Sequence, residues 1–358
     1  MDSKRVETII IGAGITGSVI SYYLNSPILD KAKMAGGRCS TGRMSSKYLY
    51  DKGATMYKNS FHYTINNKSN KFNLNNYLNN KFPNLKTKQI YDNMFVPENG
   101  MISLVSSFIK ENNLISNIKI IKIIKENDYF LIMDDLNNSY YAEKCIITCP
   151  LPQSLEIIQD LPFYKEWEGF TQKYIDYKKT LVATGLWENL SFNLDQNQKI
   201  SELNHKDNLE YFTIESQKFD DYQNLILSIQ FSKEFSEKNF ENWMDENKNL
   251  NKDKTEIVEN FFSSIFSKYN LNYISPSQIR AHRWKYSNPI VSMFDKDNEI
   301  NFDSVTYHDY IELCKKYNLY LTGDWVFGQR APKCVLGAIQ LSSIFLGKDL
   351  LSVEGSLP

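Results

Sequence analysis

The stretch TIIIGAGITGSVISYYL, residues 8–24, constrains the fold of this chain more than any other. Apolar, β-branched residues run up to Ile11, glycine falls at positions 12, 14 and 17, and a helical spacing of apolar residues begins at Ile15, Val19 and Tyr22 or Tyr23. A short continuous apolar run predicts a strand buried on both faces of a parallel sheet, and the change to a period near 3.6 predicts a helix. Asn25, Ser26 and Pro27 end that helix, and Ile28, Leu29 and Asp30 read as a second short strand. In a strand, turn, helix, strand setting each glycine has a mechanical task. The first allows the tight turn, the second lets bare main chain approach a pyrophosphate, and the third lets the helix close on the sheet. The helix N-terminus presents unpaired N–H groups and partial positive charge to phosphate. Asp30 lies eighteen positions after Gly12, near the interval at which a carboxylate accepts from a ribose hydroxyl.

Bulk properties exclude several other classes. A chain of 358 residues can bury a sizeable core, and its 41 basic and 42 acidic residues nearly cancel, so it lacks the field of a nucleic-acid binder. The five cysteines, Cys39, Cys145, Cys149, Cys314 and Cys334, are odd in number and have no CxxC spacing, which argues against a disulfide framework or a zinc site and for a reducing compartment. Cys145 and Cys149 stand four apart in an expected strand and read as small buried thiols on one face. His62, His205, His282 and His308 are scattered, so no metal site is expected. No run approaches the length of a membrane span or a signal h-region, and the expectation is a soluble, cytoplasmic protein.

The fold class expected is α/β, two-lobed: a Rossmann-type dinucleotide-binding domain with an inserted mixed or antiparallel-sheet substrate domain. Residues 1–60, 91–150 and 276–358 are assigned to the first, residues 61–90 and 151–275 to the second. The Asn-rich stretch 60–90 reads as a lid or an excursion into the other lobe. Residues 117–149 read as strand, turn, strand; 180–188 and 224–232 as strands; 256–269 as a helix with a stripe of Ile257, Val258, Phe261, Phe262, Ile265 and Phe266 that suits core packing. The end of the chain returns to a short buried strand, LYLTGD, and an apolar helix.

The glycines alone do not choose between NAD and FAD. After Asp30 the chain reads DKAKMAGGRCSTGR, which brings Gly36, Gly37 and the permanent cation Arg38 to a second phosphate contact. DKGATMY follows, with Gly53 and Ala54 small enough for a cofactor to lie along the main chain, and LTGDWVFGQRAPKC places Gly323 and Asp324 between a strand and a helix. Together these segments resemble the FAD-dependent amine-oxidase superfamily, and within it the renalase-like flavoproteins. NMFVPENGMISLVSSFIK, KCIITCPLPQ and HRWKYSNP are similar to further segments of that family. The resemblance covers both ends of the chain and implies FAD as cofactor, held by Gly12, Gly14, Ile15, Thr16, Gly17, Asp30, Lys31, Gly36, Gly37, Arg38, Thr55, Met56, Gly323 and Asp324. The chain departs from the family at GQRAPKC, where Gln329 and Pro332 replace a more glycine-rich stretch, and little aligns through 60–90 and 155–275.

The same resemblance implies an oxidase that takes a hydride from a small-molecule donor, such as an isomeric dihydronicotinamide of NAD(P)H, with dioxygen as acceptor and hydrogen peroxide as product. No Ser-His-Asp or paired-carboxylate signal accompanies it, consistent with a donor that already carries a transferable hydride. His282, Arg283 and Trp284 are the candidates for the substrate side: a histidine that titrates near neutrality, a cation for an anionic phosphate, and an indole wall. An amine oxidase of the same superfamily, a flavin-dependent isomerase or mutase, and a non-catalytic redox sensor remain open as alternatives.

Overall fold

The structure is a computed structural model and describes residues 5–190, 208–219, 223–294 and 299–351. His205 and parts of the expected substrate lobe, residues 191–207 and 220–222, lie outside the described residues. The architecture is two-domain α/β: a Rossmann-like dinucleotide-binding region and an inserted sheet domain.

Val6–Ile11 is the predicted buried strand and Ile15–Leu24 the predicted helix. The strand pairs in parallel with Ile28–Asp30 on one side and Ser139–Ile147 on the other. The hairpin of Ile120–Glu126 and Tyr129–Asp134 extends the sheet antiparallel, and Leu114–Ser116 closes its other edge. The late strand Leu319–Leu321 also pairs in parallel with Ser139–Ile147, so one strand receives both ends of the chain. Ala331–Leu346, apolar almost throughout, packs against Ile15–Leu24. Cys145 is buried in the sheet, whereas Cys149 lies beyond the strand's end at Ile147.

The second sheet runs in the order Leu209–Ile214, Leu225–Phe231, Tyr177–Trp187, Gln278–Pro289, all antiparallel. Its two faces differ because side chains alternate along a strand. Leu181, Ala183, Leu227, Ile229 and Phe231 face Lys252–Lys268, whose Val258, Phe262, Ile265 and Phe266 supply the predicted stripe. Thr180, Thr184, Thr213, Ser228 and Gln230 are buried on the opposite face, toward the first domain.

Three segments are partnered differently from the sequence division. Gln278–Pro289, assigned to the cofactor domain, is an edge strand of the second sheet. In 61–90, Ser60–Ile65 and Lys68–Asn73 form a hairpin joined in parallel by Glu299–Asn301, and Phe72, Leu74, Tyr77 and Leu78 share the core of the dinucleotide-binding sheet. That stretch is anchored in the first domain rather than held over a site as a lid. Trp167 and Tyr174, from the expected substrate lobe, join the same core. Strand pairing and packing over long separations decide these memberships, and local composition carries no signal of them.

Candidate functional site

The glycine loop has the geometry its spacing predicts. Gly12 sits at φ +102°, a conformation side chains disfavour, and a Cβ there would lie 2.9 Å from Thr148 Oγ1. A Cβ on Gly17 would stand 2.0 Å from the Gly12 carbonyl oxygen, so helix and loop touch only because both are bare. Gly14 is different: among the described residues nothing lies within 4 Å of where its Cβ would project. That open space faces the N-terminus of a ten-residue helix with no side-chain cap and no acidic residue in its first turn. Bare main chain, free N–H groups and the positive end of a helix make a cradle that fits a diphosphate.

Thr148 fastens the loop, donating its hydroxyl to the Gly12 carbonyl at 2.6 Å and its N–H to that of Ile11 at 2.8 Å. Asp30 does so from the other side, accepting from Ala13 N–H at 2.6 Å and Ala32 N–H at 2.7 Å. Each Asp30 oxygen keeps a lone pair for a further donor such as a ribose hydroxyl. Lys31 is exposed beside it.

The segment 36–38 folds over the same loop. Gly36 N–H donates to the Ala13 carbonyl at 2.8 Å, and a Cβ on Gly37 would lie 3.3 Å from Gly14 Cα. Arg38 then donates Nη1 to the Asp324 carboxylate and to the Ser287 carbonyl at 2.9 Å. Gly323, at φ +132°, turns the chain from the Leu319–Leu321 strand so that Asp324 begins the next helix against Arg38. Tyr177 donates to the other Asp324 oxygen at 3.0 Å. Burial works against the charge on Arg38, but Asp324 outweighs it and the guanidinium is held more firmly protonated than usual. Burial, reinforced by Asp324, also keeps the Tyr177 phenol protonated. The nearby thiols of Cys39 and Cys334 are each pushed up to about 12, chiefly by burial, and stay protonated.

Beyond Arg38 the site meets the second sheet. The Arg38 carbonyl accepts from Ala54 N–H at 2.8 Å, the Gly53 carbonyl from Gln230 Nε2 at 2.8 Å, and the Lys52 carbonyl from Trp284 Nε1 at 2.9 Å. Thr55 is buried and Met56 partly so, continuing that segment. His282 and Trp284 share one face of their strand, with ring centroids 4.3 Å apart. Burial, then the charge of Lys52, lowers the His282 pKa to about 4, so this imidazole is neutral at physiological pH instead of titrating there. Arg283 does not join them. Strand alternation sends it to the opposite face, where Nη1 donates to the Phe240 and Glu241 carbonyls and the guanidinium lies 5.4 Å from the Phe240 ring centroid. Gln329 donates to the Pro289 carbonyl at 2.7 Å, which binds the departing GQRAPKC stretch to the same edge strand.

A buried cluster behind this segment was not foreseen. Lys218 donates to Asp51 at 2.5 Å and to Glu215 at 2.7 Å, with all three side chains at most 1% exposed. Asp51 also accepts from Thr41 Oγ1 and Met101 N–H, and Glu215 from Asp51 N–H. Among the described residues Glu215 Oε1 has no partner, and burial pushes this carboxyl up to about 7 against the pull of Lys218. Asp51 and Glu215 lie 164 positions apart, beyond the reach of a spacing rule.

Among the described residues, no group of three or more His, Cys, Asp or Glu is placed to hold a metal ion, and no helix is long and apolar enough to cross a membrane. A groove of about 550 Å³ lined by Pro152, Glu156, Lys165 and Glu168 lies elsewhere, and its Lys165 and Glu168 are already paired with each other.

A profile describing an NAD(P)-binding Rossmann-like domain matches residues 10–70. Comparison with curated proteins gives no match. Solved structures similar in fold include a reduced UDP-galactopyranose mutase, at TM-score 0.62 and 10% identity over 98% of this chain and 97% of that one. A CLA-producing fatty acid isomerase from P. acnes superposes at TM-score 0.57 and 13% identity over 96% and 99% of the two chains. A putrescine oxidase variant with redesigned cofactor binding does so at 0.59 and 8% over 96% and 99%. These likenesses establish the fold, a dinucleotide-binding one shared by proteins as different as a mutase, an isomerase and an oxidase, and do not single out the renalase-like group.

Proposed function

We propose that this chain binds FAD and is a flavin-dependent enzyme acting on a small organic molecule at the boundary between the two sheets. The observation that carries this reading is the Arg38–Asp324 pair beside the open cradle at Gly14, because it joins the two ends of the chain where both would touch one elongated ligand. Gly12, Gly14, Ile15, Thr16 and Gly17 would take the diphosphate, Asp30 and Lys31 the adenosine side, and Gly36, Gly37, Arg38, Gly323 and Asp324 the middle of the molecule. Thr55 and Met56 follow the segment that meets the second sheet. Bound flavin would supply a two-electron acceptor for hydride, returned to its oxidised form by dioxygen with release of hydrogen peroxide. His282 and Trp284 wall the substrate side, the neutral imidazole offering an acceptor without adding charge.

A second reading is favoured by the fold neighbours. An isomerase and a mutase share this architecture with an oxidase, so redox-neutral turnover stands beside net oxidation. Anaerobic mixing of the flavin-loaded protein with NADH, its isomers and simple amines, followed by admission of air, separates the two. Bleaching of the visible flavin bands and recovery in air with stoichiometric peroxide supports the oxidase. Activity only in pre-reduced protein, without peroxide, supports the isomerase or mutase. Protein that takes up no flavin overturns both.

A further inference from the structure

Lys52 is half-buried, and among the described residues its ammonium makes no ion pair and donates no hydrogen bond. A half-buried ammonium keeps its head in water, and an anionic ligand that reaches it gains a charge-assisted hydrogen bond. Asp51, next to Lys52 in sequence, is committed with Glu215 to Lys218, and Asp324 to Arg38. Burial alone lowers the Lys52 pKa, with no carboxylate opposing it. His282 close by is neutral and brings no countercharge. The Lys52 carbonyl is fixed by Trp284, and Gly53, the next residue, packs its bare Cα against that indole, where a Cβ would come within 3.1 Å of the ring. Arg280, two residues before His282 on the same face, pairs with Thr184 and is exposed.

We propose that Lys52, with Trp284 as wall and His282 as neutral hydrogen-bonding neighbour, recognises the anionic oxygen group of a small organic substrate. This rests on the reading of the boundary between the sheets as the substrate side, and it names the substrate class as an organic anion, carboxylate or phosphate, rather than an amine. Lys52 thereby fills the role that sequence assigned to Arg283, whose guanidinium is held on the far face.

The test is titration calorimetry of the full chain with benzoate, phenyl phosphate, neutral benzamide and cationic benzylamine, alongside flavin absorbance of the loaded protein. At least one anion is expected to bind about ten- to hundredfold more tightly than benzamide, the range of a charged hydrogen bond, and the preferred anion separates carboxylate from phosphate recognition. Lys52→Gln is expected to abolish that preference while leaving benzamide affinity and flavin content in place, and Lys52→Arg to retain it. Equal binding of anions and benzamide, preference for benzylamine, no anion binding, or unchanged anion affinity in Lys52→Gln overturns the proposal. Calorimetry does not require flavin. Colourless protein that still prefers an anion through Lys52 would therefore sink the FAD reading and leave this inference standing.

Discussion

Arg38 and Asp324 are bonded side chain to side chain although 286 positions separate them, and the carboxylate is completed by Tyr177. The Asp324 side chain is 6% exposed and that of Arg38 30%, so the pair is buried on one side and open on the other. A guanidinium held by a carboxylate yet reaching solvent is pre-oriented for an anionic ligand.

Removing one partner strands the other. Arg38→Met leaves the Asp324 charge facing only Tyr177, and the expected loss of stability is about 2–4 kcal/mol, moderated by the residual water contact at this site. Urea denaturation of the ligand-free protein measures it. A loss as small as that of a surface substitution would show that the pair contributes nothing.

Gly14 and Gly17 should separate binding from folding. At Gly14 the backbone is extended, with φ −77° and ψ −176°, and a side chain meets open space, so Gly14→Val is expected to keep the melting temperature and lose bound flavin. Gly17→Ala drives a Cβ into the Gly12 carbonyl and is expected to cost about 1–3 kcal/mol or more of stability. Thermal melts and the flavin-to-protein absorbance ratio give both readouts.

Asp30→Ala removes the acceptor of two main-chain N–H groups as well as the expected ribose contact. Affinity for FAD is expected to fall by about 1–3 kcal/mol, with a smaller loss in Asp30→Asn, which keeps one acceptor oxygen. Equilibrium dialysis against FAD checks the order of the two variants.

His282 should make the protein acid-sensitive. Its pKa is lowered from 6.5 unfolded to about 4 folded, so between those values the unfolded chain takes up the proton first. The stability it contributes is present above about pH 6.5 and is lost as pH falls toward 4. His282→Asn is expected to flatten this part of the profile, read as urea midpoints across that range.

Glu215 gives the opposite slope. Its carboxyl is raised from 4.5 to about 7, mainly by burial, so on raising the pH the unfolded chain releases a proton that the folded one keeps. Stability falls as pH rises through that window and levels off above it. Glu215→Gln should remove the fall, and an unchanged slope in this variant would place the titration elsewhere.

The local parts of the site were legible in sequence because their causes are local. Tight turn, open main chain and helix contact each demand a glycine at fixed spacing, and Asp30 follows at the end of one helix and one short strand. The strands at 120–147 and 177–187 and the helix at 252–268 likewise announce themselves by period. Lys52 was visible in DKGATMY, but nothing local shows that it lacks a countercharge. Tyr177 and Gln230 carry no signal at all, and Thr148, though it lies in KCIITCPLPQ, shows nothing locally of its bond to Gly12, since each acts on a residue more than a hundred positions away.

Sequence by itself determined the dinucleotide loop, since its geometry depends on contacts within one turn and its neighbouring helix. Tertiary structure alone decided which face of the Gln278–Pro289 strand meets the site, and so turned His282 and Trp284 inward and Arg283 away. The cause is strand pairing: register with Tyr177–Trp187 fixes the side of the sheet to which every second residue points, and that register is set by a partner about a hundred positions distant.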